Sequence, residues 1–412
     1  MRSMRYECAA GGSMAGWLRR LVLLVLVSAG GAALGHAQAQ TAPLPGQENG
    51  GGASPQARYR LIHLLPGTIA TYPRINAAGQ IAVSMVKGGR TQGFFYDGAM
   101  VRSLGSLGGS TVYAHGLNDA GQVAGTALNR AGVERAFVWS ARGGMRDLTV
   151  AAGGGASYGM AISQRGVVTG AFRGGTRPFR WSAEHGLQDL GGLPAFPEPS
   201  AGRVLNDSGV IAGVTTIDDE TTRVFAWTRE RGLVAIDTLG SVESSPVAVG
   251  AGGEVVGNRL ASYDDGGDRP FLWTQAAGMR DLGIGRGSTA WVNAMTPGLH
   301  IAGAIGFPDG SQRAMSWTRR TGMRELGTLG GRTSVARAVN ARGQLVGFAE
   351  NAAGAMRAFV WSERGGMRDL NRLVHPAPSG MVLEQALVIN DSGAIVASSN
   401  RGLVLLRPDG GR

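Results

Sequence analysis

Short runs in which apolar and polar residues alternate, punctuated by Gly, Asn and Asp, recur along this chain from about residue 58 to its end. A period of two is that of a strand with one covered face. One unit reads in full from Ser334 to Leu373 as SVARAVNARGQLVGFAENAAGAMRAFVWSERGGMRDLNRL, and it predicts short strands at 335–340, 344–349, 357–362 and 367–372. A tryptophan marks the third strand at Trp139, Trp181, Trp227, Trp273, Trp317 and Trp361, with Tyr96 in its place in the first unit. Phe137, Phe179, Phe225, Phe271 and Phe359 stand two residues earlier, hence on the same strand face. Each such ring hides roughly 150 to 250 Å² when buried, so these pairs are expected to fill the space between neighbouring units.

Two turns join the strands. The first is Asn-x-x-Gly, from Asn76 to Gly79, Asn118 to Gly121, Asn206 to Gly209, Asn340 to Gly343 and Asn390 to Gly393, with degenerate forms around Gly166, Gly253 and Gly298. Asn first and Gly fourth suit a type I turn, because the side-chain oxygen bonds the turn backbone and Gly accepts positive φ. The second turn ends on a glycine five residues after each tryptophan: Gly144, Gly186, Gly232, Gly278, Gly322 and Gly366. Four antiparallel strands in roughly 45 residues is the size of a propeller blade.

The ends of the array bear on its topology. The last unit, Val388 to Arg412, reaches its third strand, with Leu406 at the tryptophan position and Gly411 five residues on, and then the chain ends. The segment Tyr59 to Gly67 matches Met323 to Gly331 without gaps and stands at the same distance from the next turn asparagine. Pairing this N-terminal strand with the last three removes two open sheet edges. The expected fold is therefore all-β, an eight-bladed propeller of four-stranded blades closed by its N-terminal strand; the alternative is seven blades plus an irregular cap.

Composition adds a compartment. Arg19 and Arg20 precede the apolar run Leu21 to Val27, small residues follow to Ala33, and Ala37-Gln38-Ala39 offers a cleavage site, so residues 1–39 read as a signal peptide, with Met14 as an alternative start. The run is too short for a membrane span, which needs roughly 20 apolar residues. Residues 40–57, with Pro43, Pro45 and Pro55, read as a flexible lead-in, and residues 58–412 as the propeller. The one cysteine, Cys8, lies in the signal segment, which excludes disulfides from the mature chain. The net charge of +11 falls to +8 without residues 1–39, which hold four arginines and one glutamate. Lys87 is the only lysine, and the arginines recur at repeat positions instead of clustering, which argues against nucleic acid.

The unit resembles that of the extracellular HAF-repeat proteins, named for a His-Ala-Phe tripeptide. The matching positions read Arg135-Ala136-Phe137 and Arg357-Ala358-Phe359, and a Gly-Thr-Leu-Gly-Gly element stands at Gly327 to Gly331. The resemblance spans roughly residues 58 to 412. It implies secretion and no established activity, and because Arg replaces His, no role of that histidine carries over.

Candidate chemistry is sparse. Gly155-Ala156-Ser157-Tyr158-Gly159 matches the G-x-S-x-G pattern of hydrolases. Ser200, Ser244 and Ser334 stand at the same offset from their turn glycines, which makes Ser157 a repeat position and not a nucleophile. The arginines before each Phe, and Asp147, Asp189, Asp237, Asp281, Glu325 and Asp369, recur once per unit and are expected to pair across strands. His63, His115, His185, His300 and His375 show no metal-ligand spacing. Asp218, Asp219, Asp264, Asp265 and Asp268 are the candidate ligands for calcium, in loops expected to share one face, though without EF-hand spacing. Trp291 breaks the repeat and is a candidate surface contact.

These features predict a secreted, monomeric, non-enzymatic binding module that takes a glycan or protein ligand and no obligatory cofactor. The alternatives are a polysaccharide-acting enzyme on the same scaffold, which would need a unit-specific cluster of carboxylates or histidines near the axis that the sequence does not show, and a structural envelope or matrix component.

Overall fold

The computed structural model describes residues 59–409 apart from 151–152, 154, 194–199, 218–220, 237–238 and 262–266. The expected signal peptide and lead-in lie outside the described residues. Within them the chain forms eight antiparallel sheets. Seven follow one another as blades 1 to 7. Blade 1 has an inner strand in two pieces, Thr68–Ile69 and Arg74–Ile75, followed by Ile81–Lys87, Arg90–Tyr96 and Val101–Ser103. Blades 2 to 7 begin with first strands Gly108–Leu117, Tyr158–Ile162, Ser200–Leu205, Glu243–Val249, Thr289–Met295 and Gly330–Val339. Blade 8 takes Leu383–Ile389, Ile395–Ser399 and Gly402–Pro408 from the C-terminal end and Tyr59–Leu65 from the other end. The described residues are an eight-bladed β-propeller, and the N-terminal strand closes it.

One register runs through all blades. The first residue of strand 2 faces the tryptophan position of strand 3, as in Val123 opposite Trp139, Ile211 opposite Trp227, Leu345 opposite Trp361 and, at the last blade, Ile395 opposite Leu406. The register is fixed because the Phe and Trp face must point at the neighbouring blade; a one-residue slip would turn it away. Phe137, Phe179, Phe225, Phe271 and Phe359 are fully buried. The apolar clusters span pairs of adjacent blades, as where Ala302 and Ala314 of blade 6 pack with Phe359 and Trp361 of blade 7. The core is thus a ring of blade-to-blade interfaces.

Closure differs from the gapless alignment by two residues. That alignment places Tyr59 opposite Leu406, whereas Leu61 holds this place and Tyr59 pairs with Pro408. The cause is the tyrosine itself. Its ring is buried among Leu370, Leu373, Val374 and Leu383, its N–H donates to the Leu373 carbonyl at 2.8 Å, and its own carbonyl accepts from His375 at 3.0 Å. Blade 1 absorbs the shift in its broken inner strand.

The turn asparagines do more than shape turns. Each Gly N–H returns to its Asn carbonyl, as at Gly343 to Asn340, 3.0 Å. The Asn side chain then donates to the turn carbonyl of the next blade: Asn76 to Asn118 at 3.1 Å, Asn118 to Ser163 at 3.2 Å, Asn206 to Gly250 at 2.8 Å and Asn340 to Asn390 at 3.0 Å. Asn390 donates to the Asn76 carbonyl at 2.9 Å, which joins blade 8 to blade 1. In blade 6 the fourth turn residue is Leu299, at φ +65°, and not Gly298.

Cross-strand Arg-acid pairing holds in part. Arg135 meets Asp147 at 2.7 Å and Arg177 meets Asp189 at 3.1 Å. Elsewhere other arginines reach the acids: Arg259 from strand 2 reaches Asp281, and Arg286 from the loop between blades 5 and 6 reaches Glu325. Asp369 instead caps a short 3-10 turn by accepting from Asn371. Asp237 lies outside the described residues.

Candidate functional site at the propeller axis

The first strand of each blade touches the first strands of its neighbours, around to blade 8 and back to blade 1, so these strands surround the axis. In blades 2 to 8 each carries a β-bulge near its end, a residue skipped in the pairing with strand 2. A bulge leaves one residue without a cross-strand partner and re-aims its side chain. The skipped residues are His115, Arg203, Asn293 and Arg337 in blades 2, 4, 6 and 7, and Met160, Val247 and Leu387 in blades 3, 5 and 8. Except at Gly250 and Thr296, the turn asparagine or its serine substitute follows three residues later, and even there the spacing is kept. At a rise of about 3.3 Å per residue the bulges lie roughly 10 Å inside the face that carries the turns.

Two interactions reach past a blade on the inner side of the ring. The Arg337 guanidinium of blade 7 lies 5.5 Å from the Tyr72 ring of blade 1, past blade 8, and 5.2 Å from Phe348 of its own blade. His115 of blade 2 feels the charges of Arg74 in blade 1 and of Arg203 in blade 4, past blade 3. Arg74 also donates from Nε to the His115 carbonyl at 2.9 Å, and the His115 ring stacks on Tyr113 at 6.1 Å. Asn293 ties the inner strands of blades 6 and 7 through the Ala336 carbonyl at 2.9 Å. Arg74 is reachable by solvent although protein surrounds it, as expected for a side chain in an open axial channel.

Enclosure sets the protonation states. It lowers the guanidinium of Arg74 from its ordinary value and that of Arg203 to about 10, which leaves both charged at neutral pH. Burial, with the charges of Arg74 and Arg203, holds the His115 imidazole down at about 4 against the usual 6.5. His115 is therefore neutral at pH 7. Between these two values the unfolded chain binds a proton that the folded one refuses, so the stability this contributes is full above pH 6.5 and is lost as pH falls toward 4. We expect the urea-unfolding free energy of the native protein to fall by about 2 kcal/mol more than that of His115→Asn between pH 7 and pH 4.5. Equal losses in the two proteins would show that His115 does not sense the collar.

The residues singled out by sequence fall elsewhere. Ser157 is buried and its Oγ accepts from the Ala136 N–H of the preceding blade at 3.0 Å; Ser244 and Ser334 do the same for Val224 and Ala314. The G-x-S-x-G match is thus an inter-blade tie. Trp139, Trp181, Trp317 and Trp361 are buried, while Trp227 and Trp273 are half-buried. Trp291 is half-buried on the inner strand of blade 6. His300 pairs through Nε2 with the Ser316 hydroxyl at 2.7 Å. Of the calcium candidates, Asp218, Asp219, Asp264 and Asp265 lie outside the described residues. Asp268 opens strand 3 of blade 5, where burial and the nearby Glu243 raise its carboxyl above the ordinary value. Among the described residues no group of three or more His, Cys, Asp or Glu side chains is placed to hold a metal ion.

Sequence reasoning missed the collar. Its signal was present as the position three residues before the turn, which reads His, Met, Arg, Val, Asn, Arg and Leu in blades 2 to 8 while its immediate neighbours are all small and uncharged.

No family model matches the chain, and no curated protein matches it in sequence. Solved structures match in fold. They include dipeptidyl peptidase 4 of Porphyromonas gingivalis, at 10% identity over 81% of this chain and 58% of that one, TM-score 0.51. The propeller domain of the Trilobed protease from Pyrococcus furiosus matches at 12% over 74% and 98%, TM-score 0.47. Virginiamycin B lyase from Staphylococcus aureus matches at 13% over 71% and 94%, TM-score 0.42. At such identities the likeness is one of fold alone.

Proposed function

We propose that this chain is a secreted HAF-repeat propeller that acts as a non-enzymatic binding module and takes its ligand at the axial collar. The observation that carries this reading is uneven chemistry on an even scaffold. Seven blades carry a bulge at the same depth, and while Val247 and Leu387 pack into clusters between blades, blades 2, 4, 6 and 7 place His115, Arg203, Asn293 and Arg337 there. A purely structural ring has no use for such differences. The collar also suits holding more than turnover. Guanidiniums stay protonated throughout the physiological range, and a histidine held near 4 is a weak base at neutral pH. The repeat pattern and the basic, apolar and small-residue order of residues 1–39 support export to the periplasm or the medium.

The test is thermal melting of residues 40–412 against calcium, magnesium and zinc salts and a panel of envelope and plant glycans. A ligand present at about 100 times its dissociation constant stabilises by roughly 2.7 kcal/mol. We expect at least one ligand to raise the melting temperature of the native protein and to leave that of Arg203→Ala unchanged. A rise that survives this substitution moves the site off the axis. Release of a shortened glycan during incubation overturns the non-enzymatic reading.

A further inference from the structure

We propose that the collar binds an oxyanion, either a free anion or one carboxylate, phosphate or sulfate group that enters the channel end-on. The proposal rests on the axial binding site argued above and names its ligand class. Three arginines, Arg74, Arg203 and Arg337, stand on the inner strands of blades 1, 4 and 7, the last two at bulges; Arg337 reaches Tyr72 of blade 1, and the charges of Arg74 and Arg203 both act on His115 of blade 2. A planar guanidinium presents paired N–H donors that match two oxygens of one oxyanion, and such charge-assisted bonds are the strong ones.

The groups facing His115 fit the same reading. Its electrostatic neighbours are the cations Arg74 and Arg203, and its ring stacks on Tyr113. Arg74 spends its Nε on a backbone carbonyl, which is neutral, and the Arg337 guanidinium lies against the rings of Tyr72 and Phe348. Neither of these two arginines forms an ion pair among the described residues. Like charges gathered in an enclosed channel repel one another, and an anion between them removes that repulsion. The turn carboxylates Asp119, Asp207 and Asp391 are already committed, each accepting a backbone N–H of the preceding blade at 2.7 to 2.9 Å, and Glu254 of the blade 5 turn pairs with Arg319. Arg337 reaches past blade 8 to Tyr72, which brings the blade 7 and blade 1 sides of the collar together.

The experiment is a proton NMR titration of the His115 imidazole in the full chain, first in chloride, then with inorganic phosphate, and then with glucuronate against glucose at matched ionic strength. An anion beside the ring favours the imidazolium, so the His115 pKa is expected to rise by at least one unit from about 4 when an oxyanion binds. Glucose is expected to leave it unchanged. A rise with phosphate alone assigns a free anion, and one with glucuronate assigns the acidic group of a sugar. The rise is expected to be lost in Arg337→Gln, which leaves the two cations nearest His115 in place. If that variant does not fold, Arg74→Gln serves, with a dissociation constant expected to weaken at least tenfold. No movement of His115 with either anion overturns the proposal. A neutral glycan that binds at the collar while His115 stays silent sinks the oxyanion and leaves the binding module standing.

Discussion

A chain that begins at Gly67 is expected to lose the cooperative melting transition that a chain beginning at Ala57 shows. The shorter chain lacks the strand Tyr59–Leu65, the outermost strand of the blade it completes. That strand buries Tyr59 and partly buries Leu61, Ile62, Leu64 and Leu65. At about 1.5 to 3 kcal/mol for each fully buried apolar side chain, with a discount for the partial ones, the loss is roughly 5 to 10 kcal/mol, which rivals the whole stability of a typical domain at about 5 to 15 kcal/mol. The edge it uncovers makes matters worse. Leu403, Val404, Leu405 and Leu406 are all buried beneath it, and a bare apolar edge pairs readily with another chain. The shorter chain should therefore aggregate or melt without a sharp transition by circular dichroism, while Tyr59→Ala should fall between the two. If the chain from Gly67 melts sharply within a few degrees of the longer one, the N-terminal strand is an ornament and the closure is carried elsewhere, for instance by Asn390 on the Asn76 carbonyl.

How much of this was legible in the sequence depended on whether a residue obeys the repeat. Trp139 to Trp361, the turn glycines and the serine at 157 occupy one register in blade after blade, and their roles follow from period and spacing alone. The blade count and the closure were legible for the same reason. Where an individual side chain outweighs the repeat, pattern reading fails. Tyr59 slides the closing strand by two residues to bury its ring, and Leu299 takes a positive φ that the pattern assigned to Gly298. The collar was hidden by a different effect. Alternation assumes that every residue advances the strand by one face, and a bulge breaks that count. His115, Arg203 and Arg337 then read as ordinary members of strand 1, although the extra residue sends them to the axis. The sequence reading looked near the axis for carboxylates and histidines only, and arginines at the bulges answer to neither pattern.

The second large effect is expected at the glycine that faces the core phenylalanine. In blade 5, Gly257 stands on strand 2 opposite Phe271 of strand 3. A Cβ placed there would run into the Ser245 carbonyl of strand 1 and come within 2.7 Å of the Phe271 ring. Gly125, Gly170 and Gly213 meet the same pair of obstacles, and Gly347 meets the strand 1 backbone at Val335. Glycine is required by this close approach, because strand 1 is drawn against strand 2 where the bulge begins. Blade 8 supplies the natural control. There the facing residue is the smaller Val404, and strand 2 carries Ala397 in place of glycine. Overpacking a core costs about 1 to 3 kcal/mol and sometimes more. Here one obstacle is backbone, which cannot rotate away, so Gly257→Ala is expected at about 3 kcal/mol and Gly257→Val beyond it. Part of that cost comes from the ring, and Gly257→Ala with Phe271→Val should therefore be less destabilised than the two single changes summed, by about 1 kcal/mol or more in a double-mutant cycle. Urea denaturation of the four proteins measures the coupling. Strict additivity would show that the glycine answers only to the strand 1 carbonyl, and that the pairing of Ala397 with Val404 in blade 8 has some other cause.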